Sequence, residues 1–508
     1  MFARINSTGC YGMEGFCVEV ECDLSNGLPR FDVVGLPDAA VSESRDRVRS
    51  AIKNGGFDFP VSRITVNLAP ADRRKEGPIY DLPILVALLI ASGQLRGELD
   101  DCAFFGELSL DGDVRRVNGA LPMVIQAREA GRRHIFVPDG NAAESAVVEG
   151  IAVYPVANIR QMIAHLRGSA KIVPAVPSEA SVSYENMLLD FGEVKGQQEA
   201  RHALEVAAAG NHNVLMIGSP GSGKSMLARR LPSILPDMTP EESLDTTKLY
   251  SIAGALPANI SLIRARPFRS PHHTVSAAGL TGGGSIPRPG ELSLAHNGVL
   301  FLDELPEFNR VALEVLRQPM EDGVVTISRA AGTVSYPCTV MLVCAMNPCQ
   351  CGYFGHPTRR CTCAQGAASR YLSRVSGPLL DRLDIHIEVP PVDYQHLSSA
   401  EKSESSAQIR ARVNAARKRQ EQRFADEPIH ANGQMSASAT RKYCWLNDSC
   451  QSMLERAFAT LGLSARAYDK ILRVARTIAD LEDSRQIELP HLAEAIQFRS
   501  LDRKFWGE

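Results

Sequence analysis

Eight consecutive residues carry the first recognisable chemistry: Gly218, Ser219, Pro220, Gly221, Ser222, Gly223, Lys224 and Ser225. They spell G-x-x-x-x-G-K-S, a loop whose backbone N–H groups converge on phosphate oxygens. The N-terminus of a following helix adds partial positive charge there. Lys224 is expected on the β- and γ-phosphates and Ser225 on Mg²⁺, so the run predicts an ATP site. Further along, Gly298-Val299-Leu300-Phe301-Leu302-Asp303-Glu304 reads as a buried strand ending in two acids. Asp303 suits a second-sphere Mg²⁺ contact and Glu304 a base that polarises attacking water. By themselves these residues would mark only a strand leaving a core; after a phosphate loop they point to hydrolysis. The apolar run Val340–Ala345 ends at Met346-Asn347-Pro348. Asn347 is either a sensor that orients the water or the cap of a turn before proline.

A second constellation follows at once. Cys349-x-Cys351, then nine residues, then Cys361-x-Cys363 places four thiols in two close pairs. Such a set suits tetrahedral Zn²⁺, a closed structural site with no open position for catalysis. His356 could replace one thiol, and Arg359 and Arg360 would soften the negative charge. Free thiols and disulfides are the alternatives.

These groups need a scaffold. Asn213–Ile217 reads as a short apolar strand entering the phosphate loop, and Met226–Leu231 as the helix leaving it. Residues 187–391 repeat strand, loop and helix, which predicts an α/β core with a parallel sheet. Residues 1–172 also alternate β-like runs (Cys17–Val20, Arg63–Asn67, His134–Val137) with helical ones (Ser42–Asn54, Leu121–Ala130). Between them the Pro-, Ser- and Ala-rich residues 173–186 read as a linker. Residues 392–508 read as almost wholly helical. At 508 residues the chain is long enough for about three domains. It is 44% hydrophobic and 22% charged, which supports a packed core and argues against disorder. The net charge of -3 leaves nucleic-acid binding to local patches. The longest clean apolar run, Leu82–Ala91, is about half a membrane span. With no apolar leader in MFARINSTGC, a cytoplasmic protein with reduced cysteines is expected.

The order of phosphate loop, acidic pair and strand-end Asn resembles AAA+ ATPases. Three longer strings narrow the resemblance: FGEVKGQQEARHALEVAAAG, RPFRSPHHTVSAAGLTGGGSIPRPGELSLAHNGVLFLDELPEF and SRVSGPLLDRLDIHIEVP. Together they look like the magnesium-chelatase-like ComM/YifB family, over nearly the whole chain. The resemblance implies a homo-hexameric motor that uses ATP and Mg²⁺, and a DNA helicase promoting branch migration in natural transformation. A chelatase-type remodeller acting on a protein partner is the alternative. It further implies an arginine finger, matched by Arg382 in Leu379-Leu380-Asp381-Arg382-Leu383-Asp384, with Arg374 as competitor. A finger of this kind contributes roughly 10³–10⁵ in rate in other nucleotide hydrolases. Ser464 reads as the N-cap of a lid helix running to about Glu482, and Arg466 in its first turn matches a sensor-2 arginine. Arg466, Lys470 and Arg473 would otherwise form a solvated basic stripe.

Insertions in related motors reach a central pore. Here they hold Arg264, Arg266, Arg269, His272 and His273, and a hairpin over Asp322–Tyr336 with Arg329 near its tip. Those arginines could grip phosphates without reading bases. Gln408–Arg423, rich in arginine, could guide DNA or simply present a solvated face. Near the N-terminus, Glu76-Gly77-Pro78 and FGELSLDGDVRRVNGALPMVIQAREAGRRHIFVP resemble the Lon protease (S5 domain 2-like) domain. Ile79 and Leu121 occupy the positions of its serine and lysine, so a Lon-like fold without peptidase machinery is expected. Asp72, Arg73, Arg74 and Lys75 form a polar loop that could touch DNA.

Overall fold

The computed structural model describes residues 1–177, 189–284, 287–329, 332–391, 403–461 and 463–506. Two compact units emerge, both α/β. The first comprises Met1–Ser183, Pro240–Ile263 and Ser328–Tyr336; the second comprises Tyr184–Thr239, Arg264–Ile327 and Pro337–Glu508.

The first unit is built on a seven-stranded mixed sheet. From edge to edge its strands are Arg30–Val34, Arg63–Ala69, Glu14–Ser25, Phe2–Tyr11, Cys102–Phe104, His134–Pro138 and Ala152–Val156. Period-2 patterning sets the faces: Val18, Val20, Cys22 and Leu24 are buried, while Glu19, Glu21 and Asp23 alternate with them. Asp81–Ala91, which holds the apolar run, is a core helix. It is apolar on every side and therefore buried on every side. Its one acid, Asp81, is buried too and pairs with Arg47 at 2.6 Å. The helix expected over Ser42–Asn54 is two, Ala39–Ser42 and Ser44–Asn54, separated at Glu43. Ile79 and Leu121 are both buried.

The boundary between the units departs from the sequence reading. Residues 173–177 stay with the first unit, where the Ala175 N–H donates to the Val153 carbonyl at 2.8 Å. The rest of the expected linker, 178–186, lies outside the described residues, as do residues 392–402 at the expected start of the lid. Pro240–Ala253 forms a helix that belongs to the first unit despite its place in the sequence. The Gly119 N–H donates to the Ser251 carbonyl at 3.0 Å, and Arg116 reaches the Leu256 carbonyl at 2.6 Å.

The second unit has a five-stranded parallel sheet in the order Phe268–Arg269, Val299–Leu302, Met341–Met346, Val214–Ile217, Ile385–Glu388. Its three central strands are buried on both faces, the signature of a sheet covered by helices. The C-terminal helices share its apolar core. Ile409, Val413, Ile471 and Leu472 join Ala203, Leu204 and Ala207 in one cluster.

Many arginines of the helix Ser406–Arg423 have acidic partners within the fold, although Arg412 and Lys418 stay exposed. Arg412 pairs with Glu205 at 2.6 Å and with Glu404, Arg419 with Asp483 at 2.7 Å, Arg410 with Asp237 at 3.5 Å and Arg423 with Asp480. These four arginines tie the helix to the rest of the unit. Among the described residues no helix is long and apolar enough to cross a membrane.

Candidate active site

The central strands of the parallel sheet end together. Ile217 lies beside Met346, and Leu302 beside Cys344. The residues after those strand ends, the phosphate loop, Asp303 and Asn347, therefore share one edge. In open α/β sheets this edge is where ligands bind.

Gly218 must be glycine, because a Cβ there would lie 2.4 Å from the Val389 carbonyl oxygen. Gly223, at φ +96°, turns the chain into the helix Lys224–Arg230. The Lys224 ammonium donates to the carbonyls of Gly218 (2.8 Å) and Ser219 (3.0 Å) and to Oδ1 of Asn347 (3.2 Å). Burial lowers the Lys224 pKa, and the nearby Asp303 charge partly offsets this. The Ser225 hydroxyl donates to Asp303 at 2.6 Å. The Ser222 hydroxyl is buried with no hydrogen-bond partner. An orphaned donor, a buried cation and an open cradle at Gly221 fit a phosphate chain. The Ser225–Asp303 pair supplies hard oxygen donors of the kind Mg²⁺ takes.

Glu304 sits at φ +55°, a left-handed conformation that glutamate rarely adopts. Backbone strain of this sort collects at functional sites. Its carboxylate is half-exposed, and His273 Nδ1 lies 3.3 Å away. His273 was grouped by sequence with the basic insertion; the fold places it on the candidate base instead. Only its position beside His272 in S-P-H-H hinted at a role.

The remaining arginines divide by their partners. Arg382 is largely buried, pairs with Glu321 and donates to the Pro378 carbonyl at 2.6 Å. Arg374 is half-exposed and lies 3.2 Å from Glu307. Arg466 is exposed and 3.6 Å from Asp381, so it stands beside the Arg382 segment and has no bond to the phosphate loop among those described. Ser464 caps the helix Ala465–Leu481 as expected. The expected basic stripe does not form, because Lys470 reaches Asp384 at 3.0 Å and Arg473 reaches the Gly433 carbonyl at 3.3 Å.

Asn213, overlooked in the sequence, joins three parts of the site. Its Nδ2 donates to the Arg382 carbonyl (3.1 Å) and its Oδ1 accepts from Leu342 N (2.8 Å). Its backbone exchanges hydrogen bonds with Asp384, at 3.0 Å and 2.8 Å. Burial opposes ionisation of Asp384. The Lys470 charge and hydrogen bonds from His212 and Asn213 overcome that and hold the carboxyl well below its usual range.

Of the candidate DNA contacts, Arg269 forms a two-pronged pair with Glu291 at 2.7 Å, and Arg266 spends its guanidinium on the carbonyls of Pro236, Asn297 and Asp237. Arg264 and Arg329 are exposed. The hairpin strands are Val324–Arg329 and Gly332–Pro337, with Arg329 at the end of the first as expected, and residues 330 and 331 lie outside the described residues. Its Val334 packs near Gly12 within the first unit.

The four cysteines come together. Their Sγ atoms all lie within 4.8 Å of one another, with Cys349 to Cys351 at 3.4 Å, Cys351 to Cys361 at 3.5 Å and Cys349 to Cys361 at 3.8 Å. Tetrahedral Zn–S bonds of about 2.3 Å would set sulfurs about 3.8 Å apart. Burial pushes the Cys349 thiol up to about 12. Backbone N–H groups of Tyr353 and Thr362, with the neighbouring thiols, outweigh burial at Cys351 and bring it down to about 5. His356 is turned toward the N–H of Arg359 at 3.0 Å, outside this set.

Three family descriptions match: "Subunit ChlI of Mg-chelatase" over residues 20–141, "Magnesium chelatase, subunit ChlI" over 190–397 and its C-terminal part over 403–499. The chain is 43% identical over 506 residues to Competence protein ComM of Haemophilus influenzae, covering 99% of this chain and 98% of that one. It is 43% identical to YifB of Escherichia coli over 501 residues, covering 98% and 97%. A magnesium-chelatase 67 kDa subunit of Chlorobaculum tepidum is 30% identical over 165 residues, 32% of this chain and 24% of that one.

Proposed function

The chain belongs to the magnesium-chelatase-like family that includes Competence protein ComM and YifB, and we propose that it is a hexameric, ATP-dependent DNA helicase promoting branch migration. The observation that carries the ATPase part is the meeting of Lys224, Ser225, Asp303 and Asn347 at one sheet edge. The DNA part is supported by the relative's name, which ties that protein to competence, and by the exposed Arg264 and Arg329. The same kinship supports a role in natural transformation and recombination, which the proposal sets in the cytoplasm.

Lys224 would exchange the Gly218 and Ser219 carbonyls for phosphate oxygens. Ser225 and Asp303 would hold Mg²⁺, whose charge screens the phosphates when it is bound. Glu304 would take a proton from the attacking water, with Asn347 orienting that water from the neighbouring strand. Arg382, and Arg466 from the lid helix beside its segment, would serve the site of an adjacent subunit, with Arg382 leaving Glu321 to do so. The cysteine cluster would hold a structural Zn²⁺ on Cys349, Cys351, Cys361 and Cys363.

Mixing two inactive variants tests the shared site. Lys224→Ala removes the loop lysine and Arg382→Ala the finger. In mixed rings some interfaces keep both groups, so ATPase returns on mixing. No recovery in rings verified as mixed would refute the trans finger. ATPase stimulated by a protein partner and never by DNA would favour the chelatase-type remodeller.

A further inference from the structure

The cysteine cluster and the phosphate loop are far apart in sequence, but the fold puts them in contact. Gly352, at φ +84°, follows Cys351 inside the cluster. A Cβ built on it would lie 2.3 Å from Cδ and 2.6 Å from Cγ of Pro220. Gly352 therefore presses its bare Cα against the proline ring of the loop. The other end of the contact is just as short. Cys349 is fully buried and follows Asn347-Pro348 directly, and Asn347 accepts from Lys224. The cluster thus touches the phosphate loop at Pro220 and leads back to its lysine through Asn347.

The segment has little buried apolar packing to keep it rigid. From Gln350 to Cys363 only Gly352 is buried, while Phe354, Gly355, Pro357, Thr358, Arg359 and Arg360 are exposed. A stretch with so few buried apolar contacts opens locally at low cost. Its backbone bonds are local ones: Gly352 N–H donates to the Cys349 carbonyl at 2.9 Å, His356 N–H to the Tyr353 carbonyl at 3.2 Å, Arg359 N–H to His356 Nδ1 at 3.0 Å and Cys351 N–H to Cys363 Sγ at 3.4 Å. Cross-linking through four thiolates would fix the turn that carries Gly352. Metal binding in small sites of this kind supplies ordering free energy that the chain lacks.

We propose that the metal-bound cysteine cluster is a backstop for the phosphate loop, so that zinc occupancy at Cys349, Cys351, Cys361 and Cys363 sets affinity for nucleotide at Pro220–Ser225. The proposal rests on the zinc reading above. The cluster is then a control point for the ATP site: loss of zinc slackens the turn, Pro220 loses its support and the cradle of N–H groups loses its shape. No redox or bond-making step is involved beyond metal release.

The test uses the full chain, with zinc measured by elemental mass spectrometry and ADP affinity by titration of a fluorescent ADP. Wild type should hold about one zinc per chain. Cys361→Ser should lose the metal and weaken ADP binding about tenfold or more, with the far-ultraviolet dichroism retained. Gly352→Ala should keep zinc yet weaken ADP, and adding Pro220→Ala should recover part of the loss, because the smaller side chain makes room for the new methyl. That rescue separates the Pro220 contact from backbone strain at position 352, which Pro220→Ala cannot relieve. Zinc-free wild type would overturn the zinc reading and the metal control together. Zinc that is bound and then lost with no change in ADP affinity would overturn the backstop while leaving the zinc reading intact. Gly352→Ala binding ADP like wild type would overturn it as well.

Discussion

Replacing Asp384 by Asn should loosen the joint between the lid helix and the segment carrying Arg382. The Asp384 carboxylate accepts from the Asn213 N–H at 3.0 Å and faces Lys470 at 3.0 Å, and both side chains of the ion pair are largely buried. Removing one partner of a buried ion pair costs about 3–5 kcal/mol, mostly because the other charge is left stranded. Asn retains the shape and one acceptor, so the low end, about 3 kcal/mol, applies. At about 2–4 °C per kcal/mol for a mid-sized domain, the melting midpoint should fall by about 6–12 °C. Lys470→Met in the same chain removes the stranded charge, so the double variant should recover about half of the loss or more. Thermal unfolding followed by dichroism, with ADP affinity and ATPase measured on the same samples, reads all three effects. Because the carboxylate holds the N–H of Asn213, whose Nδ2 donates to the Arg382 carbonyl at 3.1 Å, ATPase should fall further than ADP binding. A single variant melting within about 1 °C of wild type, or a double variant no better than the single, would refute the reasoning.

Three further outcomes follow. Glu304→Gln should cut ATP hydrolysis by about 10²–10⁴ while leaving ADP affinity near wild type, as expected of a general base and checked by single-turnover kinetics. His273→Ala should shift ATPase and its dependence on DNA together, because His273 is the group facing Glu304 at 3.3 Å; an unchanged DNA response would count against that pairing. His212 is buried and its pKa is lowered, first by burial and then by Arg473 and Arg417, against the opposing pull of Asp384. A histidine depressed in the folded state contributes its stability above the unfolded pKa of about 6.5. That contribution is lost as the pH falls below this value. Urea midpoints should therefore drop between about pH 6.5 and 5, and less so in His212→Gln.

Contiguous chemistry was legible and assembled chemistry was not. Gly218–Ser225, the Asp303-Glu304 pair and Asn347 each declare themselves within a few residues, because a strand, a turn and a cap are local events. The Ser464 cap and the buried run at Leu82–Ala91 are read from the same short windows. His273 on Glu304, Asn213 on Arg382 and Gly352 on Pro220 depend on strand order, which no window of sequence displays. Basic composition does not display its partners, for the same reason. Arg269 pairs with Glu291, and Arg412 with Glu205 and Glu404, pairings that only the fold reveals. The stretch Pro240–Ile263 shows the limit for domain boundaries: the residues on either side belong to the second unit, while the bonds of its Ser251 and Leu256 carbonyls to Gly119 and Arg116 tie it to the first.

The most direct measurement is ATP-driven branch migration of a synthetic four-way DNA junction with fluorescently labelled arms, followed as separated duplexes. Wild-type protein with ATP and Mg²⁺ should resolve the junction, while Lys224→Ala and Glu304→Gln should bind it without moving it. Resolution that proceeds equally in those variants, or a wild-type protein that hydrolyses ATP and never moves a strand, would contradict the account.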